Sequence, residues 1–150
     1  MSERGVPGEV GELDPTKTWE RLEQSPDTVL IDVRTQAEWS FVGVPDLQGL
    51  GKAPVCVEWA VYPNMSVNPR FEVELFERLD GVFPSEMFFI CRSGARSMRA
   101  ALAVAQHLAV SGQNAACFNV AEGFEGDLNR TGHRGNHNGW KARGLAWRQS

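Results

Sequence analysis

Four short apolar runs alternate with helical patterns along this chain, and that alternation is the strongest constraint on its fold. The runs are "TVLIDV" (28–33), "VCVEW" (55–59), "SEMFFIC" (85–91) and "NAACFNV" (114–120). Runs this short, rich in β-branched and aromatic residues, mark strands buried on both faces. Asp14 and Pro15 supply an N-cap and a first helical residue, and "TKTWERLEQ" continues as an amphipathic helix to about Gln24. Thr35 caps a short helix in "RTQAEWSFV", and Asn68-Pro69 opens a third that ends on Gly81. The fourth, "SMRAALAVAQHLAVSG", stops at Gly112 and carries Met98, Ala101, Leu102, Ala105, Leu108 and Ala109 as one stripe. Strands alternating with helices predict an α/β domain with a mostly parallel central sheet flanked by helices. Sites in such sheets form at the carboxyl ends of strands, where Cys91, Asp32 and Arg34 stand.

With 150 residues the chain is expected to form one domain. Residues 1–12 are Gly- and Glu-rich and read as a flexible segment, 13–127 as the domain, and 128–150 as a basic extension. The extension holds Arg130, Arg134, Lys141, Arg143 and Arg148 and no acid, whereas the rest of the chain is strongly acidic. Such a tail either lies back on the acidic body or docks to a partner. It reads as loop, with one short helix near Trp140. "GVPDLQGLGKAP" (43–54) reads as a long loop.

No apolar run approaches the ~18–20 residues of a membrane span, and the start lacks the apolar core of a signal peptide. Three widely spaced cysteines, Cys56, Cys91 and Cys117, argue against a disulfide framework and for a reducing cytoplasm. Cys56 and Cys117 lie within apolar strands and read as core. His107 reads as a surface residue. His133 and His137 are four apart, but no third ligand is near, so no metal site is expected. Scattered tryptophans on an acidic body exclude a nucleic-acid stacking platform.

The segment "FFICRSGARSMRAA" (88–101) carries the chemistry. A strand ends on Cys91, a tight turn follows at Ser93-Gly94, and a helix begins. Arg92, Arg96 and Arg99 crowd a helix N-terminus, where acids belong. An anion at that point removes the conflict. Converging backbone N–H groups and the helix dipole form an anion-binding nest there. A free cysteine titrates near ~8.5, and such a nest favours the thiolate form.

"CRSGARS" (91–97), entered from "FFI" and followed by an Ala-rich helix, closely resembles the active-site loop of the rhodanese family. "LIDVRTQAEW" (30–39) is similar to that family's upstream motif, and "NVAEGFEG" (119–126) to the Gly-rich turn after its last strand. The resemblance covers about 13–127. "GWKARGLAW" (139–147) looks like the end of a bacterial single-domain subgroup. The loop reads Cys-x4-Arg, one residue shorter than the Cys-x5-Arg cradle of cysteine phosphatases, and the narrower cradle suits a persulfide.

The resemblance implies a sulfurtransferase. Cys91 takes the outer sulfur of a small anionic donor such as thiosulfate and passes it to cyanide, a thiol or a sulfur-carrier protein. The loop Arg92, Ser93, Gly94, Ala95, Arg96 and Ser97 holds the persulfide, with Arg92 and Arg96 orienting the donor. Asp32, Arg34 and Glu38 support it, Arg34 pairing with Glu38 at i, i+4 and Asp32 accepting loop N–H bonds. No cofactor is implied, and a monomer or weak homodimer is expected. The family's "GHIPGA" stretch is replaced by "VGVPDLQGLGKAP", which keeps a Gly43–Pro45 spacing without the His. The loop lacks the Gly-Ser/Thr-Gly-Val-Thr pattern of mercaptopyruvate users, which favours thiosulfate. A Cys-based phosphatase or arsenate reductase, and a non-catalytic rhodanese-like binding module, are the alternatives.

Overall fold

In the computed structural model, which describes residues 8–150, the four apolar runs lie side by side as parallel strands. In chain order the elements are β1 (Val10–Leu13), α1 (Pro15–Gln24), β2 (Thr28–Asp32), α2 (Gln36–Phe41), β3 (Val44–Pro45), a 3-10 turn (Gln48–Leu50), β4 (Val55–Cys56), β5 (Ala60–Val61), β6 (Ser66–Val67), α3 (Phe71–Arg78), β7 (Glu86–Ile90), α4 (Ala95–Val110), β8 (Ala116–Val120) and β9 (Trp147–Arg148). The central sheet has the order β1-β8-β7-β2-β4 and is parallel throughout.

Alternate residues of the central strands face opposite layers. Ile31, Met87, Phe89, Cys91 and Cys117 pack with Phe71 and Leu75 of α3 and with Ala101 and Val104 of α4. Leu30, Phe88, Ile90, Phe118 and Val120 pack with Leu22 of α1 and with Phe124 and Trp140. Both faces are covered, which explains why the strands read as continuous apolar runs.

The structure departs from the sequence reading in several segments, among them the expected long loop 43–54, which holds β3 and the 3-10 turn. Residues 1–7 lie outside the described residues, but 10–12 are strand: β1 pairs in register with Val10 opposite Cys117 and Glu12 opposite Asn119. "VGEL" is not an apolar run, and its order comes from the backbone groups that the β8 edge offers. The third helix starts at Phe71, because Asn68 instead accepts the Arg70 amide through Oδ1 at 3.0 Å in a local turn. "VCVEW" forms only a two-residue strand before the chain leaves for the small antiparallel hairpin β5–β6.

The region near Trp140 forms turns where the sequence reading expects a helix. Gly139 has φ +98°, and a Cβ there would meet the Gly126 amide nitrogen at 2.7 Å. The tail closes by pairing β9 antiparallel to β3, Val44 opposite Arg148. It also lies on acidic surface: Arg143 binds Glu122 at 2.6 Å and stands 3.8 Å from Asp14. Among the described residues no helix is long and apolar enough to cross a membrane.

Candidate active site

Strand register brings the carboxyl ends of β7 and β2 together, with Asp32 opposite Ile90. Cys91 follows β7 directly. Gly94 then turns the chain with φ 116° and α4 begins at Ala95, so the thiol faces the free amides and positive dipole end of a helix. Cys91 is 1% exposed, and its Sγ accepts the Gly94 N–H at 3.1 Å and lies 3.2 Å from Ser97 Oγ. Arg92 and Ala95 are exposed, while Ser93 and Gly94 are half-buried and Ser97 is buried.

The turn after β8 holds this loop from behind. Phe124 N–H donates to the Cys91 carbonyl at 2.8 Å, and Glu125 and Gly126 N–H donate to the Arg92 carbonyl at 3.0 and 3.1 Å. These bonds hold the Cys91 and Arg92 carbonyls on the side of that turn, while the Gly94 amide points at the thiol. The approach requires glycine at 123, where a Cβ would stand 2.5 Å from the Arg92 oxygen and φ is +68°.

Arg96 and Glu38 form a two-pronged ion pair at 2.7 and 2.9 Å. Glu38 is also the third residue of α2 in a capping box with Thr35. This corrects the expected Arg34–Glu38 pair. Arg34 precedes the Thr35 cap and lies off the helix, so the i, i+4 relation does not apply. Its guanidinium turns inward to Asp32, with Nη2 2.7 Å from Oδ2, and to the Gly43 carbonyl at 2.7 Å, over the Phe124 ring. Asp32 accepts one loop N–H, from Arg34 at 3.1 Å. Both side chains are fully buried and brace the fold behind the loop.

In front of the loop lies a cleft of about 890 Å³. Its walls are Arg92 and Arg96, Glu38 of α2, Tyr62 and Met65 of the β5–β6 hairpin, and Glu125, His133 and Arg134 after β8. Arg134 is fixed there by donating Nη1 to the Gly126 carbonyl at 2.7 Å.

No family model matches the chain. It is similar to Rv0390 of Mycobacterium tuberculosis, with 44% identity and a TM-score of 0.78 over 93% of this chain and 97% of that one. It is also 32% identical to the uncharacterized protein RP600 of Rickettsia prowazekii, over 88% of this chain and 92% of the relative. The chain belongs to the family of Rv0390 and RP600. A more distant likeness is to the polysulfide-sulfur transferase homodimer of Wolinella succinogenes, at 18% identity and a TM-score of 0.55 over 95% of this chain and 80% of that one. The fold of this Rv0390-family member is rhodanese-like.

Several residues around the Cys91 loop of this Rv0390-family member escaped the sequence reading. Asn119 lies behind the loop: its Oδ1 is 2.5 Å from Ser97 Oγ, and its Nδ2 donates to Glu12 at 3.1 Å and to the Gly94 carbonyl at 3.2 Å. Its signal was a lone amide in the apolar run "ACFNV", since a buried polar group needs partners. Glu12 carried no signal within a segment read as flexible, and Tyr62, Met65 and Arg134 reach the cleft only through tertiary folding. His107 sits at the surface, 3.3 Å from Glu72. Burial pushes the Cys56 and Cys117 thiols up to about 12.

The Glu38 carboxyl is pushed up by burial, but hydrogen bonds from Arg96 and Thr35 and the Arg96 charge outweigh this and hold it at about 2. A carboxyl lowered on folding stabilises the protein fully above its ordinary value of 4.5, and that contribution is lost as pH falls towards 2. Urea unfolding across this range should show a drop of about 2 kcal/mol that Glu38→Gln lacks. An acid limb unchanged by Glu38→Gln would mean that the pair contributes nothing net.

Proposed function

We propose that this protein is a sulfurtransferase that carries a sulfane sulfur on Cys91. One observation carries the reading: the Cys91 sulfur accepts the Gly94 N–H at 3.1 Å, at a helix N-terminus behind a cleft lined by Arg92 and Arg96. The fold shared with a polysulfide-sulfur transferase agrees with it. In the proposed reaction the Cys91 thiolate attacks the outer sulfur of thiosulfate. The S–S bond breaks and sulfite leaves with its electron pair. An acceptor nucleophile (cyanide, a thiol or a sulfur-carrier protein) then attacks the terminal sulfur and Cys91 departs as thiolate, with no net redox change.

Loop amides stabilise the charge on the terminal sulfur. Arg96 is neutralised by Glu38, so Arg92, exposed and without an ion-pair partner among the described residues, meets the donor's sulfonate. We place the protein in a reducing cytoplasm as a monomer or weak homodimer.

Mass spectrometry of protein purified without reductant tests the reading, together with a thiosulfate–cyanide assay. One added sulfur on Cys91 and thiocyanate release are expected. Hydrolysis of p-nitrophenyl phosphate without sulfur uptake would establish the phosphatase alternative, and neither sulfur uptake nor turnover would leave a binding module.

Cys91 should also alkylate first. The other two thiols stay protonated at neutral pH because burial holds them at about 12. Iodoacetamide at pH 7 to 8, with the label located by peptide mapping, should mark Cys91 at least ~10-fold faster than either. Prior labelling of Cys56 or Cys117 would remove the chemical basis for choosing Cys91.

A further inference from the structure

The hydrogen atoms around Ser97 can be assigned one by one. Both Asn119 amide hydrogens point at groups that only accept, the Glu12 carboxylate at 3.1 Å and the Gly94 carbonyl at 3.2 Å. The orientation of the amide is therefore fixed, and Oδ1 faces Ser97. Three acceptors stand within reach of the Ser97 hydroxyl: Asn119 Oδ1 at 2.5 Å, Cys91 Sγ at 3.2 Å and the Gly94 carbonyl at 3.3 Å. The first is much the shortest, a separation two oxygens hold only with a hydrogen between them. That hydrogen must be the Ser97 hydroxyl's own, because the amide oxygen has none. A serine has one hydrogen to donate. Ser97 Oγ, 3.2 Å from Cys91 Sγ, consequently turns a lone pair towards the sulfur. A thiol can donate into that lone pair, whereas a thiolate is repelled by it.

We propose that Asn119 is a positioning residue that acts on Cys91 through Ser97: by claiming the serine's hydrogen, it makes Ser97 an acceptor and favours the protonated thiol in the resting site. Gly94 N–H pulls the opposite way, donating to the sulfur. Ionisation of Cys91 then requires the Ser97 hydroxyl to rotate from Asn119 to the sulfur. The resting site thereby keeps its nucleophile quiet until that single bond turns.

The other charges near the loop are Arg92 and Arg96, Glu38 on α2, Glu12 on β1, and Glu125, His133 and Arg134 after β8, with the Tyr62 hydroxyl on the β5–β6 hairpin. Replacing Asn119 removes the hydrogen bond that Glu12 accepts at 3.1 Å and touches none of the others; a shift carried through Glu12 would persist without Ser97. The proposal rests on Cys91 being the sulfur carrier, but its readout is thiol alkylation, so it and sulfur transfer can fail separately.

The test is the pH–rate profile for iodoacetamide at Cys91 in the full chain, with folding checked by circular dichroism. Asn119→Ala, or Asn119→Leu, which keeps the volume, frees the Ser97 hydrogen to donate to the sulfur. The profile should move about 0.5–1 pH unit lower, a ~3- to 10-fold faster reaction below both midpoints. Ser97→Ala alone removes the opposing lone pair and should also move the profile down, by less. In the Ser97→Ala background Asn119→Ala should add no further shift. A loop merely loosened by losing Asn119 would react faster at every pH, with or without Ser97. An upward shift in Ser97→Ala would identify Ser97 as a donor and overturn the proposal even if both Asn119 variants failed to fold. So would an Asn119 shift that is absent, or that persists without Ser97.

Discussion

Cys91→Ala should abolish sulfur transfer, with turnover falling by at least ~10³-fold and the added sulfur vanishing from the mass spectrum. No other thiol can stand in for it. Cys117 is buried within β8 and Cys56 lies in β4, and burial holds both at about 12. The substitution removes one atom from a buried position and leaves the loop's backbone bonds to Phe124, Glu125 and Gly126 in place, so the variant should fold at a cost of ~1 kcal/mol. The measurement is thiosulfate–cyanide turnover on variant protein with native circular dichroism. Retention of more than about a tenth of the activity would show that sulfur passes directly from donor to acceptor in the cleft, without a Cys91 persulfide.

Trp140→Ala should cost ~3–5 kcal/mol of stability, the range for emptying a large core position. Trp140 is 0% exposed although it lies in a Gly-rich tail. It meets Trp19 edge-on at 5.9 Å, donates its indole N–H to the Ala146 carbonyl at 2.8 Å, and donates its backbone N–H to the Gly123 carbonyl at 2.9 Å. That last bond ties the tail to the turn that braces the Cys91 loop. Urea unfolding should show the loss, and sulfur transfer should fall with it as the wall carrying His133 and Arg134 loosens. A cost below about 1 kcal/mol would mean that the tail is an appendage and the core closes without it.

How far the sequence reveals the molecule depends on where each residue's information lies. The parallel sheet was legible because strands buried on two faces must be apolar throughout, and the four runs are. The α1 start was legible because Asp14 caps its own helix, accepting the Lys17 amide at 2.8 Å. The loop from Cys91 to Ser97 was legible as a local strand–turn–helix pattern. Arg34 was misassigned because its partner is chosen by the direction the chain takes before α2, which spacing does not encode. Glu12 and Asn119 were invisible as a pair because 107 residues separate them and only the β1–β8 register joins them. The cleft walls belong to the same class, being drawn from segments that meet only after folding.

The pairing of β9 with β3 has a temporal consequence. During synthesis β3 and the Cys91 loop are made long before Trp147 and Arg148. Domains take shape from the N-terminus as the chain is made. The sheet of β2, β4 and β7 can form early, but Gly123, Trp140 and the cleft wall of Glu125 to Arg134 come later. On a ribosome the nascent thiol therefore has neither its bracing turn nor its binding cleft. The proposed sulfur-carrying site is completed only when the segments after β8 have been made, later than the thiol itself.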